Sequence, residues 1–322
     1  MNLQARCSII VPVYRNAPSL PALADELQTL GTKLPCPLEV VFVDDGSPDD
    51  SAEVLQQLFA SKDFGFQARL IRLSRNFGSF NAIRAGLDHG SGAYLAVMAA
   101  DLQDPPEAIL SFLEELLRGE CDVVLGTRKN RQHDPWLTRV TSHWFWGFYR
   151  RLVQKEMPSG GFDLFACTAR TRDVLSTLRE SRSSLVGLLL WAGFKRAVVP
   201  YERRQRPHGK SAWSFRRRVR YVFDSAFSFS NLPITCLMTA GAIGITLSVL
   251  YLLLVLVLTL CGKIHQPGFP TLAGLITVFG AANLFALGIL GEYAWRAYEN
   301  TKGRPNFVVM SQVSLGKTSD PS

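Results

Sequence analysis

Five polar clusters, each following a short apolar run, hold the groups in this chain that could bind a charged ligand. Tyr14, Arg15 and Asn16 follow S-I-I-V-P-V, and Asp44 and Asp45 follow L-E-V-V-F-V. Arg75 and Asn76 come after A-R-L-I-R-L, Asp101 and Gln103 after Y-L-A-V-M-A-A, and Arg128 after D-V-V-L-G-T. Carboxylates suit a base, a ribose or a divalent cation, and arginines suit phosphate, so the mixture matches a nucleoside diphosphate. Any one cluster by itself is an ordinary turn former, D-D-G-S included. The weight lies in five of them in succession.

The elements that carry these clusters explain why they would meet. Ser8–Val13, Leu38–Val43, Ala68–Leu73, Tyr94–Ala100 and Asp122–Leu125 read as strands, with helical spacing at Ser19–Leu34, Ser51–Phe59, Phe80–His89 and Ile109–Arg118. Strands alternating with helices predict an α/β fold with a mostly parallel sheet covered on both faces. In such a sheet the strand ends share one edge, and ligands bind there. The stretch around which the rest is organised is Ala93–Glu107, where the strand stops at Asp101 and Pro105-Pro106 open a helix. Two readings compete for Asp101 and Asp104: helix capping, a role Asp fills well, and ligand binding.

Several classes are disfavoured. The first strand is not followed by G-x-G-x-x-G, and no G-x-x-x-x-G-K-[ST] occurs, which argues against a dinucleotide enzyme and a P-loop NTPase. Gly78, the one glycine of S-R-N-F-G, permits either close backbone approach to a ligand or a turn with positive φ. The five histidines lack ligand spacing such as H-E-x-x-H. The six cysteines show no paired spacing of the zinc or redox kind, so buried free thiols in a reduced, cytosol-facing protein are expected. The opening residues carry no charged segment followed by an apolar core, so no secretory leader is expected.

Composition points to a membrane. The chain has 322 residues, a 47% hydrophobic share and a net charge of +8. The apolar excess gathers after Pro233. Ile234–Leu260 is uncharged and, as a helix, spans roughly 40 Å, enough for a hydrocarbon core of roughly 30 Å. Thr271–Leu290 is a second stretch of spanning length, the alternative for both being a buried hairpin of a large soluble domain. Basic residues flank the outer ends at Arg216–Arg220 and Arg296–Arg304, while the loop between has Lys263. The positive-inside rule then puts both termini and the preceding domain in the cytoplasm. The basic run Arg203–Arg220 has three candidate partners: nucleic acid, anionic lipid, or a phosphate-bearing substrate. Its juxtamembrane position makes nucleic acid the weakest of these. Trp136–Val153, rich in aromatics and arginine, reads as an amphipathic headgroup helix or as core packing rather than a stacking platform for bases.

Taken together, V-P-V-Y, V-D-D-G-S, S-R-N-F-G, A-D-L-Q-D-P-P-E, G-T-R, R-x-x-G-K-S-A-W (Arg206–Trp213) and G-E-Y (Gly291–Tyr293) resemble a family 2 glycosyltransferase with the GT-A fold. More narrowly, the set is similar to the polyisoprenyl-phosphate glycosyltransferases. That resemblance implies a glycosyltransferase domain at 1–202, a basic juxtamembrane segment at 203–232, a two-helix membrane hairpin at 233–292 (spans at about 234–260 and 271–291) and a cytoplasmic tail at 293–322. It implies an inner-membrane enzyme moving a sugar from a nucleotide donor, UDP-linked by family frequency, to a polyprenyl phosphate, with inversion, and suggests a homo-oligomer. Pro12, Tyr14, Asp44, Asp45 and Gly78 would line the nucleotide-sugar site. Asp101 and Gln103 would hold Mg²⁺ or Mn²⁺ against the diphosphate, with Arg128 beside it. Arg131, Arg206, Lys210 and Ser211 would grip the acceptor phosphate, and Asp101, Arg128 and Arg206 would carry catalysis. For Arg128 and Arg131 the alternative is a solvated basic loop.

The chain departs from the family pattern twice. Ala99 stands where relatives have an aspartate, leaving Asp101 without its partner, and S-G-G-F-D-L-F (Ser159–Phe165) replaces the usual acid-aromatic-arginine order. Two rivals follow: a glycosyltransferase of the same fold with another acceptor, and an inactive membrane scaffold, for which Ala99 is the best argument.

Overall fold

The computed structural model describes residues 6–129, 150, 156–158, 161–162, 164–178, 180, 184–204, 227, 230, 232–262 and 268–316. In chain order the elements are β1 (Cys7–Val13), α1 (Leu20–Lys33), β2 (Leu38–Asp44), α2 (Ser51–Ser61), β3 (Gln67–Leu73), α3 (Ser79–His89), β4 (Tyr94–Val97), α4 (Pro106–Leu117) and β5 (Val123–Arg128). There follow β6 (Leu164–Thr168), α5 (Ala169–Thr177), α6 (Leu185–Trp191), β7 (Arg196–Tyr201), α7 (Leu232–Leu260), α8 (Phe269–Thr301) and β8 (Val309–Leu315).

One eight-stranded sheet has the order β7-β5-β6-β4-β1-β2-β3-β8. β1 pairs in parallel with β2 and β4, β2 with β3, and β5 with β7. β6 runs antiparallel between β4 and β5, and β8 runs antiparallel along β3. Six strands therefore end on the same edge of a mixed sheet, as the alternation of elements predicts.

The continuous apolar runs of β1 and β2 follow from burial on both faces. Ile9, Val11 and Phe42 meet α1, α2 and α4 on one side, while Ile10, Val41 and Val43 meet α3 on the other. Each such side chain contributes about 1.5–3 kcal/mol. At the edge opposite the candidate site, buried Glu39 accepts from Ser8 Oγ (2.5 Å) and Ser91 N (2.8 Å) and pairs with Arg69, tying three strands together. Burial pushes the Glu39 carboxyl up, but these hydrogen bonds and Arg69 outweigh it and hold it below the ordinary value.

Four expectations are revised. The tail at 293–322 supplies a strand, β8, on the edge beside β3. Its sequence, V-M-S-Q-V-S-L, mixes polar and apolar residues because only part of it is covered. Cys7 and Cys36 are joined by a disulfide and are not free thiols. They lie 29 residues apart, but Cys7 opens β1 and Cys36 precedes β2, and these strands are neighbours in register. Cys121 and Cys167 are buried free thiols, whereas Cys236 and Cys261 are exposed. The central strand is shorter than expected, β4 ending at Val97, with Met98 N donating to Ile10 O.

The last revision concerns α8, which runs past the apolar stretch to Thr301. Glu292–Arg296 and Glu299–Lys302 pairs lie along this extension, and Gly303 stops it at φ 59°. Within α8, Val278–Thr301 is long and apolar enough to cross a membrane. α7 has 29 residues and no charge, and side chains such as Met238, Leu247 and Leu260 are exposed. Such uncovered apolar surface on a long helix suits lipid contact.

Candidate active site

At the shared edge, the β1, β2 and β3 loops clasp one another. Arg15 N donates to Ser47 Oγ (3.3 Å) and Asn16 N to Ser51 Oγ (3.1 Å). Ser19 Oγ donates to Ala100 O (2.6 Å), linking the first loop to the end of the central strand segment. Tyr14 is 38% exposed above these contacts, and Pro12 lies within β1 opposite Val43.

Both aspartates of V-D-D-G-S are buried. Asp44 accepts from Ser47 N (3.0 Å) and faces Arg72 Nε (3.7 Å), so the turn-forming role of this motif is met as well as its place on the edge. Asp45 accepts from Phe77 N (2.7 Å) and Gly78 N (2.9 Å). Burial pushes its carboxyl up to about 6, aided by the charge of Asp44 and opposed by the two N–H groups. Gly46 has φ 63°, and a Cβ on it would sit 2.6 Å from the carbonyl carbon of Arg75. Glycine is thus required by both conformation and close approach. Gly78 also has positive φ, at 94°, and opens α3. Asp44 thus shapes its own turn, while Asp45 positions the β3 loop, in which Arg75 stacks on Phe77 (4.3 Å).

The β4 side is built differently. Asp101 Oδ1 accepts from Gln103 N (3.2 Å), and Oδ2 lies 3.9 Å from Arg203 Nη2. Asp104, 1% exposed, accepts from Ala99 N (3.0 Å) through Oδ2, and its Oδ1 is 3.7 Å from Arg203 Nε. The capping reading fails for both: α4 has Pro105 as its N-cap and no side-chain cap bond. Among the described residues, Arg15 (φ 57°) and Leu102 (φ 60°) are the two non-glycine positions with positive φ. Such conformations cost about 1–3 kcal/mol each and gather at functional sites. Here one adjoins Tyr14 and the other separates Asp101 from Gln103.

Arg128 ends β5 in register with Tyr201 of β7. Gly126, two residues earlier, leaves room for Phe112 of α4, which a Cβ would meet at 2.5 Å. Gly161 and Phe162 lead into β6 from the same edge. Arg131, Asp163, Arg206, Lys210 and Ser211, with nearly all of Trp136–Val153, lie outside the described residues.

Arg203 and Arg204 lie at the candidate site, a placement that sequence reasoning missed, counting them only within a basic run. The signal was the preceding R-A-V-V-P-Y, a β-branched run whose strand, β7, delivers them to the edge. Arg204 N donates to Gln103 O (2.8 Å) and Gln103 Nε2 to Arg204 O (3.3 Å), so the segment is strapped to the carboxylate loop.

The donor set decides what cation could be held. Ala99 offers only a methyl group, and among the described residues no cluster of three His, Cys, Asp or Glu forms a metal cage. Asp101 with the Gln103 amide fits a Mg²⁺ or Mn²⁺ ion whose remaining ligands are phosphate oxygens and water.

Residues 8–179 match the family described as Glycosyl transferase family 2. An uncharacterised glycosyltransferase of Synechocystis sp. is 31% identical over 94% of both chains. The undecaprenyl-phosphate 4-deoxy-4-formamido-L-arabinose transferase of Enterobacter sp. is 32% identical, covering 98% of this chain and 95% of its own. A bactoprenol glucosyl transferase of Shigella phage SfV is 28% identical over 95% of this chain and 99% of that one. The chain is a glycosyltransferase and belongs to glycosyl transferase family 2.

Proposed function

We propose that the enzyme transfers a sugar from a nucleotide donor, UDP-linked, to a polyprenyl phosphate of undecaprenyl type at the cytoplasmic face of a membrane, inverting the anomeric carbon. The observation that carries this reading is the strap at Gln103. It ties the carboxylate loop to residues 203–204, from which the chain runs into the basic segment and then into α7. Donor chemistry and membrane surface are thereby linked through one short segment. The acceptors named for the Enterobacter and phage relatives support the same acceptor class. α7 and α8 are read as two spans, with both termini in the cytoplasm.

In the reaction, an acceptor phosphate oxygen bonds to the anomeric carbon while the bond from that carbon to the donor diphosphate breaks. The electron pair leaves with the nucleoside diphosphate. A phosphomonoester has a second pKa of about 6, so the acceptor oxygen is already anionic near neutral pH and has no proton to lose. A general base is then unnecessary. The state of Asp104, buried and held on Ala99 N, supports a scaffold role for it. Arg206, Lys210 and Ser211 hold the acceptor phosphate in line, which is the positioning term of catalysis. Asp101 and Arg128 face the departing diphosphate. A divalent cation bound at Asp101 and Gln103 supplies further neutralisation of that charge.

The test is incubation of membranes carrying the enzyme with radiolabelled UDP- and GDP-sugars and polyprenyl phosphate, followed by lipid extraction. Label should enter the lipid phase only with added acceptor, and Asp101→Ala should abolish it while the protein still inserts. Label in protein or polymer, or full turnover by Asp101→Ala, would overturn the reading.

A further inference from the structure

Arg203 is the unusual member of the site. It comes from the far end of the sheet, where β7 is the outermost strand, and lies against both carboxylates of the β4 loop, 3.9 Å from Asp101 and 3.7 Å from Asp104. Its neighbour Arg204 holds the backbone in place through Gln103 and turns its own side chain outward to Glu26 (2.6 Å) and Glu107 (3.3 Å). The strap fixes where Arg203 can reach, while its side chain is 24% exposed.

We propose that Arg203 is the resident cation of this loop, so that the free enzyme holds divalent ions poorly and the ion enters together with the nucleoside diphosphate. The proposal rests on the reading of Asp101 as the cation ligand. A guanidinium about 4 Å from a carboxylate opposes a second cation at the same oxygen. Ala99 removes the carboxylate that would offset this, and Asp104 already gives one oxygen to a backbone N–H. A diphosphate brings the missing negative charge and additional oxygens. Both Arg203 distances exceed hydrogen-bond length, so its pairing with Asp101 is Coulombic and the guanidinium can turn toward phosphate, a group it suits. Arg203 is therefore a positioning residue that sets when the ion binds.

The experiment is a Mn²⁺ titration of the full-length protein in detergent, followed by electron paramagnetic resonance, with and without UDP or GDP. Wild type should bind Mn²⁺ at least about tenfold more tightly with one of the nucleotides. Arg203→Gln should bind Mn²⁺ alone at least about tenfold more tightly than wild type, and Arg203→Lys, which keeps the charge, should not. Ala99→Asp should likewise gain Mn²⁺ binding without nucleotide. Wild-type Mn²⁺ affinity that ignores both nucleotides would overturn the proposal. So would a folded Arg203→Gln with wild-type Mn²⁺ affinity. If that variant does not fold, a folded Ala99→Asp with no gain decides against the proposal. The Mn²⁺-alone arms read Arg203 without any nucleotide. Failure of the sugar-transfer reading shows separately, as absence of labelled lipid.

Discussion

On the β2 side of the edge, Asp44 and Asp45 accept backbone hydrogen bonds of 3.0, 2.7 and 2.9 Å from Ser47, Phe77 and Gly78. On the β4 side, Asp101 and Asp104 each accept one backbone hydrogen bond as well, from Gln103 N (3.2 Å) and Ala99 N (3.0 Å), and both also face Arg203, at 3.9 and 3.7 Å. All four carboxylates are held by backbone N–H groups; what differs is that the β4 pair shares one arginine, whereas on the β2 side Asp44 faces Arg72 at 3.7 Å and Asp45 gives both oxygens to backbone N–H groups. Carboxylates bonded to their own backbone fix loop shape, since breaking such a bond inside the protein leaves a buried group unsatisfied. A carboxylate facing a guanidinium beyond hydrogen-bond reach can change partners at lower cost. The β2 half is mainly frame, and the β4 half, where two carboxylates share Arg203, is where the proposed exchange of charge would take place.

Gly46→Ala should break this contrast most severely. The new Cβ meets the Arg75–Asn76 backbone at 2.6–2.9 Å and forces φ 63° on an L-residue. Left-handed conformation and overpacking together cost on the order of 3 kcal/mol. Denaturation of the detergent-solubilised chain measures this. A loss below about 1 kcal/mol would mean that the β3 loop yields, and that the frame is softer than its bonds suggest.

Asp45→Asn addresses the frame's charge. The folded-state pKa is raised from 3.8 to about 6, so the folded chain takes up the proton more readily than the unfolded one. That contribution to stability is fully present below about pH 4 and is lost as pH rises through about 6. Wild type minus Asp45→Asn stability should therefore fall between pH 4 and pH 7, by up to about 3 kcal/mol. A flat difference in the denaturation series would show that the two N–H bonds keep the carboxylate ionised throughout.

Much of the frame was legible in the sequence because it is local. The strand ends, the D-D-G-S turn and the Pro105-Pro106 helix start are all written in consecutive residues. The missed features depend on segments distant in sequence. Arg203 reaches Asp101 only because β7 lies parallel to β5, and Cys7 meets Cys36 only through the β1–β2 register. β8 escaped notice because an antiparallel edge strand needs little apolar sequence. Helix capping is one of two readings the sequence leaves open for Asp104, whose spacing from Pro106 suits it; its carboxylate instead turns back to Ala99 N, five residues earlier.

The smallest effect should come from Arg204→Ala, and it sharpens the contrast between adjacent arginines. Arg204 makes shorter ion pairs than Arg203, at 2.6 Å to Glu26 and 3.3 Å to Glu107, yet its side chain is 43% exposed. Exposed pairs contribute about 0–1 kcal/mol, because water screens the charges and two long side chains must be ordered. The strap itself is made by the backbone N–H and C=O of residue 204, which alanine keeps. Stability should thus fall by less than about 1 kcal/mol, and less still at high salt. Mn²⁺ binding without nucleotide should stay at the wild-type level, in contrast to Arg203→Gln. If Arg204→Ala raised Mn²⁺ affinity as much as Arg203→Gln, net positive charge near the loop would be the controlling quantity. The position of the Arg203 guanidinium against Asp101 would then lose its special standing.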